Sequence, residues 1–132
     1  MTGRFLVLCA ALALTACGGG HTEEGAALFA AHCAVCHGGD ARGGGGANVA
    51  GLGRTPADLT VLAAQNGGDF PVARVAWILE AYSFGTQPRR RMADIPPLQS
   101  KQTRRLRTGS GTMAVAQPQA AIIDWLQTVQ RR

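Results

Sequence analysis

An all-α fold is predicted by three observations. An Ala-rich segment over residues 22–32 opens with two acidic residues, an amphipathic stripe runs through residues 72–82, and a second stripe closes the chain over residues 118–129. Proline and glycine crowd the connections, so these read as loops. The 132 residues suffice for one domain. With 5% aromatic residues and 18 glycines, the polypeptide alone would build a thin core.

Residues 1–16 read as a secretory signal. Arg4 supplies a short basic region, and Phe5 to Leu14, which includes Cys9, is an apolar run too short to span a bilayer, which needs ~20 helical residues. The run ends in Leu14-Thr15-Ala16-Cys17, which resembles the lipobox of bacterial lipoproteins. That resemblance implies lipidation of Cys17, with acyl chains that hold the domain at a membrane on the periplasmic side. Gly18 to His21 then form a short tether, so residues 17–21 separate the anchor from a domain over 22–132.

The first helix begins at Thr22 as N-cap, with Glu23 and Glu24 where the helix dipole favours anions. It runs into Cys33-Ala34-Val35-Cys36-His37. Gly25, Phe29, Cys33 and Cys36 fall at i, i+4, i+8 and i+11 and share one face. Two thiols within one helical turn can reach the two vinyl groups on one edge of a porphyrin, and the next residue, His37, supplies an imidazole to the iron. Cys-x-x-Cys-His is the attachment signature of c-type haem. Rival readings of these residues fail. A thioredoxin-like pair requires a surrounding βαβ pattern. A zinc site would crowd His32, Cys33, Cys36 and His37 into six residues with no distant second pair. A Cys33–Cys36 disulfide closes too short a loop to stabilise much. His32 lies about 100° round the helix from Cys33 and reads as a partly solvated helix residue and not a ligand; His21 sits in the tether.

The Gly-rich stretch from Gly38 to Ala47 cannot sustain a helix and lets the backbone pass close to the haem edge. No Gly-Lys-Ser/Thr follows, which excludes a phosphate-binding loop. An axial histidine donates its second ring N–H to an oxygen acceptor, and the carbonyl of Pro56 is the candidate here. Asp58 or Thr60 caps a short helix over Leu59 to Gln65, stopped by Asn66-Gly67-Gly68. Asp69 caps the next, with Pro71 in its first turn; Val72, Val75, Ile78, Leu79 and Tyr82 form its core stripe. Residues 83–117 read as loops and contain Met92 and Met113. A last helix from Pro118 carries Ala121, Ile122, Trp125, Leu126 and Val129 on one face.

From residue 22 onward the sequence resembles a small class I mono-haem cytochrome c of the bacterial exported kind. The resemblance rests on Gly25 and Phe29 before the haem motif, the Pro56 to Leu59 segment, Asn66-Gly67-Gly68 with Phe70-Pro71, and Trp125. It implies a class I cytochrome c fold in which crossed N- and C-terminal helices, meeting through Gly25, Phe29 and Trp125, surround one covalently bound haem. It also implies a methionine as sixth iron ligand, commonly in a Met-Pro sequence. Here Met92 precedes Ala93 instead. Met92 is the first choice for that ligand, Met113 the second, and no methionine the third.

The resemblance implies a one-electron carrier in place of an enzyme, passing electrons between membrane-associated or periplasmic redox proteins. With an open sixth position the same fold would be a haem-based sensor; a third possibility is the electron-entry subunit of a larger redox enzyme. The net charge of +5 becomes +4 once Arg4 leaves with the signal. Arg89, Arg90, Arg91, Lys101, Arg104, Arg105 and Arg107 crowd residues 89–107 against the single acid Asp94. These cations suit an acidic redox partner at the haem edge or anionic lipid headgroups. Export excludes nucleic acid, and a monomer is expected.

Overall fold

The computed structural model describes residues 19–44, 55–87 and 92–132. The signal segment, Cys17 and Arg89, Arg90 and Arg91 lie outside the described residues. Helix α1 (Gly20–His32) starts before the predicted Thr22 cap, and the Thr22 hydroxyl instead donates back to the Gly19 carbonyl at 3.0 Å. The chain breaks at Cys33 (φ −120°, ψ −33°) and resumes as the single turn α2 (Ala34–His37). The predicted helix over Leu59 to Gln65 is two short 3-10 turns, Leu59–Val61 and Ala64–Asn66. Asp58 caps the first by accepting from the Thr60 N–H. Helix α3 (Val72–Ser83) follows Pro71 directly, without a cap from Asp69. Residues Pro96–Leu98 form a 3-10 turn, and helix α4 (Gln117–Thr128) closes the fold.

The fold is not purely α. Strands β1 (Thr103–Thr108) and β2 (Gly111–Ala116) pair antiparallel in the stretch predicted as loop, with Leu106 opposite Met113 and Arg104 opposite Val115. Side chains alternate between strand faces, so Leu106, Met113 and Val115 face the core, while Arg105, Arg107, Thr112 and Ala114 face out. Gly109-Ser110 between two runs is itself a hairpin signal; the three arginines in β1 mask the apolar alternation. A lone hairpin is marginal in water. This one is held by Leu106 and Val115 in the core and by an ion pair between Arg104 and Asp124 of α4.

Helices α1 and α4 pack against each other as the family resemblance implied. A Cβ on Gly25 would lie 2.0 Å from the Ala121 carbonyl oxygen and 2.9 Å from the Trp125 Cβ, so only glycine permits this approach. Phe29 and Trp125 stack beside it with ring centroids 4.5 Å apart. Ile122, Ile123 and Leu126 of α4 complete the core with Val75, Leu79 and Leu98.

Candidate functional site

One face of the molecule opens into a largely apolar cleft of about 800 Å³, within the range of sites that enclose small molecules and cofactors. Cys33, at the break, and Cys36 and His37 of helix α2 line the cleft, together with Met92 and Ile95. Of the sequence-predicted site residues that are described, Cys33, Cys36, His37, Pro56 and Met92 line this cleft and Met113 does not. Paired with Leu106 in the hairpin, Met113 packs on the core and is not among the cleft residues.

His37 is buried, and its Nδ1 lies 3.0 Å from the Ala57 carbonyl oxygen. A carbonyl only accepts, so Nδ1 carries the proton and Nε2 is left free. The expected acceptor, Pro56, is corrected to its neighbour. The Pro56 carbonyl faces Gly43, where a Cβ would lie 2.3 Å from it, and Gly43 takes a left-handed φ of 83°. Gly43 also donates its N–H to the His37 carbonyl at 2.7 Å. The glycine stretch therefore packs the backbone against both the histidine and the segment that orients it.

Cys33 and Cys36 are free thiols. Burial, reinforced by neighbouring Cys36, pushes the Cys33 thiol up to about 11, so it is neutral at physiological pH. His32 lines the cleft as a half-buried residue.

The stripe on α3 divides between two tasks. Val72, Val75 and Leu79 enter the core, while Ile78 and Tyr82 line the cleft together with Trp77. Apolar residues on two faces of α3 were the available signal for this second surface. Val35 and Trp77 are 66% and 60% exposed while lining the cleft, so they form an apolar rim.

The segment carrying Met92 has no proline directly after the methionine, and Ile95 helps to anchor it, its N–H donating to the Tyr82 carbonyl at 3.0 Å. Beyond it, Gln99 Nε2 donates to the Ser83 carbonyl at 2.6 Å. Buried Gln119 of α4 donates to both the Ser83 hydroxyl and the Leu98 carbonyl at 3.3 Å. Gln119 was missed because a lone glutamine in an amphipathic helix carries no sequence signal of burial. Of the basic cluster, Lys101, Arg104, Arg105 and Arg107 are described, and none lines the cleft. Arg104 is held by Asp124, and Arg105 donates to the Thr112 hydroxyl at 2.7 Å.

Two thiols on a single helical turn, a histidine with Nε2 free and apolar surroundings fit a porphyrin attached through thioethers and bound at its iron by imidazole. The chain was compared with known proteins. A family model described as cytochrome c oxidase, cbb3-type, subunit III, matches residues 20–120. Neither the curated proteins nor the solved structures yield a match.

Proposed function

Because the chain belongs to the cytochrome c family described as cbb3-type cytochrome c oxidase subunit III, whose members hold a covalent c-type haem, we propose that it is a one-electron carrier with that haem in the cleft. The observation that carries this reading is that Cys33, Cys36, His37 and Met92 line one cavity. Bound there, the haem supplies reversible one-electron oxidation and reduction of its iron. Cys33 and Cys36 would hold it as thioethers, and His37 would bind its iron through Nε2 while Nδ1–H stays on the Ala57 carbonyl. The Met92 thioether would supply a second protein ligand to the iron, and so would keep the site closed to exogenous ligands.

Electron-transfer interfaces are small and exchange fast. The rim of Val35 and Trp77 offers apolar contact at the mouth of the cleft, and Arg105 and Arg107 on the outer face of the hairpin steer an acidic partner. Family members are exported or membrane-associated, and lipidation of Cys17 would tether this one to a bacterial membrane. Among the described residues no helix is long and apolar enough to cross a membrane. A second reading, the electron-entry subunit of a larger oxidase, is favoured by the family's own description.

The test is the absorption spectrum of the haem-loaded chain, oxidised and reduced, with and without carbon monoxide. The expected wild type shows the weak long-wavelength thioether-to-iron band and does not bind carbon monoxide. Both properties are lost in Met92→Ala and kept in Met113→Ala. Ready carbon monoxide binding by the wild type would replace the closed carrier with a ligand sensor.

A further inference from the structure

The carbonyl that accepts the His37 Nδ1–H belongs to Ala57, and the turn that follows it is bound by residues more than sixty positions later. Arg131 donates from Nη2 to Asp58 Oδ2, from Nε to Thr60 Oγ1 and from its backbone N–H to the Thr60 carbonyl, each at 2.7 Å. Gln130 uses both ends of its amide: Nε2 donates to the Leu59 carbonyl at 2.8 Å, and Oε1 accepts from the Ala63 N–H at 2.9 Å. Asp58 closes the ring by accepting from the Thr60 N–H at 2.8 Å and the Thr60 hydroxyl at 2.6 Å. On the side facing the haem motif, the Leu59 N–H donates to the Ala41 carbonyl at 2.8 Å.

Surface ion pairs add little stability. Directed bonds that converge on one short turn, beginning at the residue after Ala57, do something else: they fix where that turn sits. Gln130 and Arg131 also lie beyond the residues that match the family, 20–120.

We propose that Gln130 and Arg131 are positioning residues for His37, clamping the 58–63 turn so that the Ala57 carbonyl stays on the Nδ1–H and sets the orientation and basicity of Nε2 toward the iron. The proposal rests on His37 being the iron ligand. A firm bond to Nδ1–H makes the ring more electron-rich and favours ferric iron. Loosening the clamp therefore raises the reduction potential.

The test uses the haem-loaded full chain as wild type, Gln130→Ala/Arg131→Ala and the milder Arg131→Lys, whose single nitrogen cannot reproduce the guanidinium fork on Asp58 and Thr60. Reduction potentials come from spectroelectrochemical titration, and exchange of the His37 Nδ1 proton from NMR of the ferrous protein. At the wild-type midpoint, the double variant is expected to show about a threefold higher ferrous-to-ferric ratio, or ~28 mV for a one-electron couple. Arg131→Lys shifts less in the same direction, and proton exchange quickens in both. Thr128→Ala, which removes a 2.7 Å bond to the Trp125 carbonyl at the same end of α4, leaves both readouts at the wild-type value. An Arg131→Lys potential equal to or below that of a haem-loaded wild type overturns the proposal alone, even if the double variant does not fold. A wild type without covalent haem overturns it together with the reading beneath it.

Discussion

Replacing Gly25 with alanine sets two effects of opposite sign against each other. Alanine is favoured over glycine inside a helix by ~0.8–1.0 kcal/mol, so α1 taken alone would gain stability. The new Cβ would stand 2.0 Å from the Ala121 carbonyl oxygen, whereas carbon contacts are comfortable at ~3.5 Å or more. The obstacle is backbone of α4, which no rotamer change relieves, so the helices must part by roughly 1.5 Å or tilt. Parting them also pulls on the Phe29–Trp125 ring pair, now 4.5 Å between centroids, an arrangement that contributes ~0.5–1.5 kcal/mol beyond its buried area. Overpacking of this kind costs ~1–3 kcal/mol, and with the lost ring contact it outweighs the gain in propensity. The expected net loss is ~1–3 kcal/mol, a fall in Tm of about 4–12 °C for a domain of this size. Thermal unfolding followed by circular dichroism at 222 nm measures it directly. Gly20→Ala, at a site in the same helix with open space around it, is the control and should unfold no earlier than wild type. A Gly25→Ala protein as stable as wild type would refute the claim that this glycine sets the α1–α4 distance.

Further outcomes follow from the polar contacts. The Asp58 carboxyl is held below its ordinary value of 3.8, first by hydrogen bonds from Thr60 and then by Arg131. A depressed carboxyl stabilises the fold above its unfolded pKa and loses that contribution as pH falls through the lower folded value. The Tm gap between wild type and Asp58→Asn should thus be widest near neutrality and shrink below about pH 3.8; a gap independent of pH between 3 and 7 would contradict it. Gln119→Leu leaves the Ser83 hydroxyl and the Leu98 carbonyl short of a buried donor and should cost ~1–3 kcal/mol by chemical denaturation. It should also admit carbon monoxide to the haem-loaded protein by loosening the segment that carries Met92, and an unchanged resistance to that ligand would refute the coupling.

The haem motif, Gly25, Phe29 and Trp125 were legible because each is constrained by a single local requirement: thiol spacing, backbone approach or ring size. Met92 could be ranked above Met113 only by its place between helices, since neither stands in a Met-Pro sequence. The hairpin was not legible, because five of the six β1 positions carry arginine or threonine and its apolar residues find their partners in α3 and α4. The Ala57 acceptor missed by one residue for a similar reason. Which carbonyl faces His37 depends on how Gly43 packs against Pro56, a tertiary contact. Gln119, Gln130 and Arg131 act through bonds to groups distant in sequence, and nothing in their neighbouring residues announces that.

Gln119 in the first turn of α4 holds the strand of chain that follows Met92, and Gln130, just past the last turn, holds the strand of chain beside His37. The two glutamines are eleven positions apart, one near the start of α4 and one just past its end, so a single helix braces both stretches, each of which carries residues that line the cleft, Ala57 in one and Pro97 in the other. The shape of the cleft therefore depends on the docking of α4, the last of the described elements in the chain. A domain of this size folds as a unit, so a change that loosens α4 reaches both stretches together, far along the chain from the residues they hold.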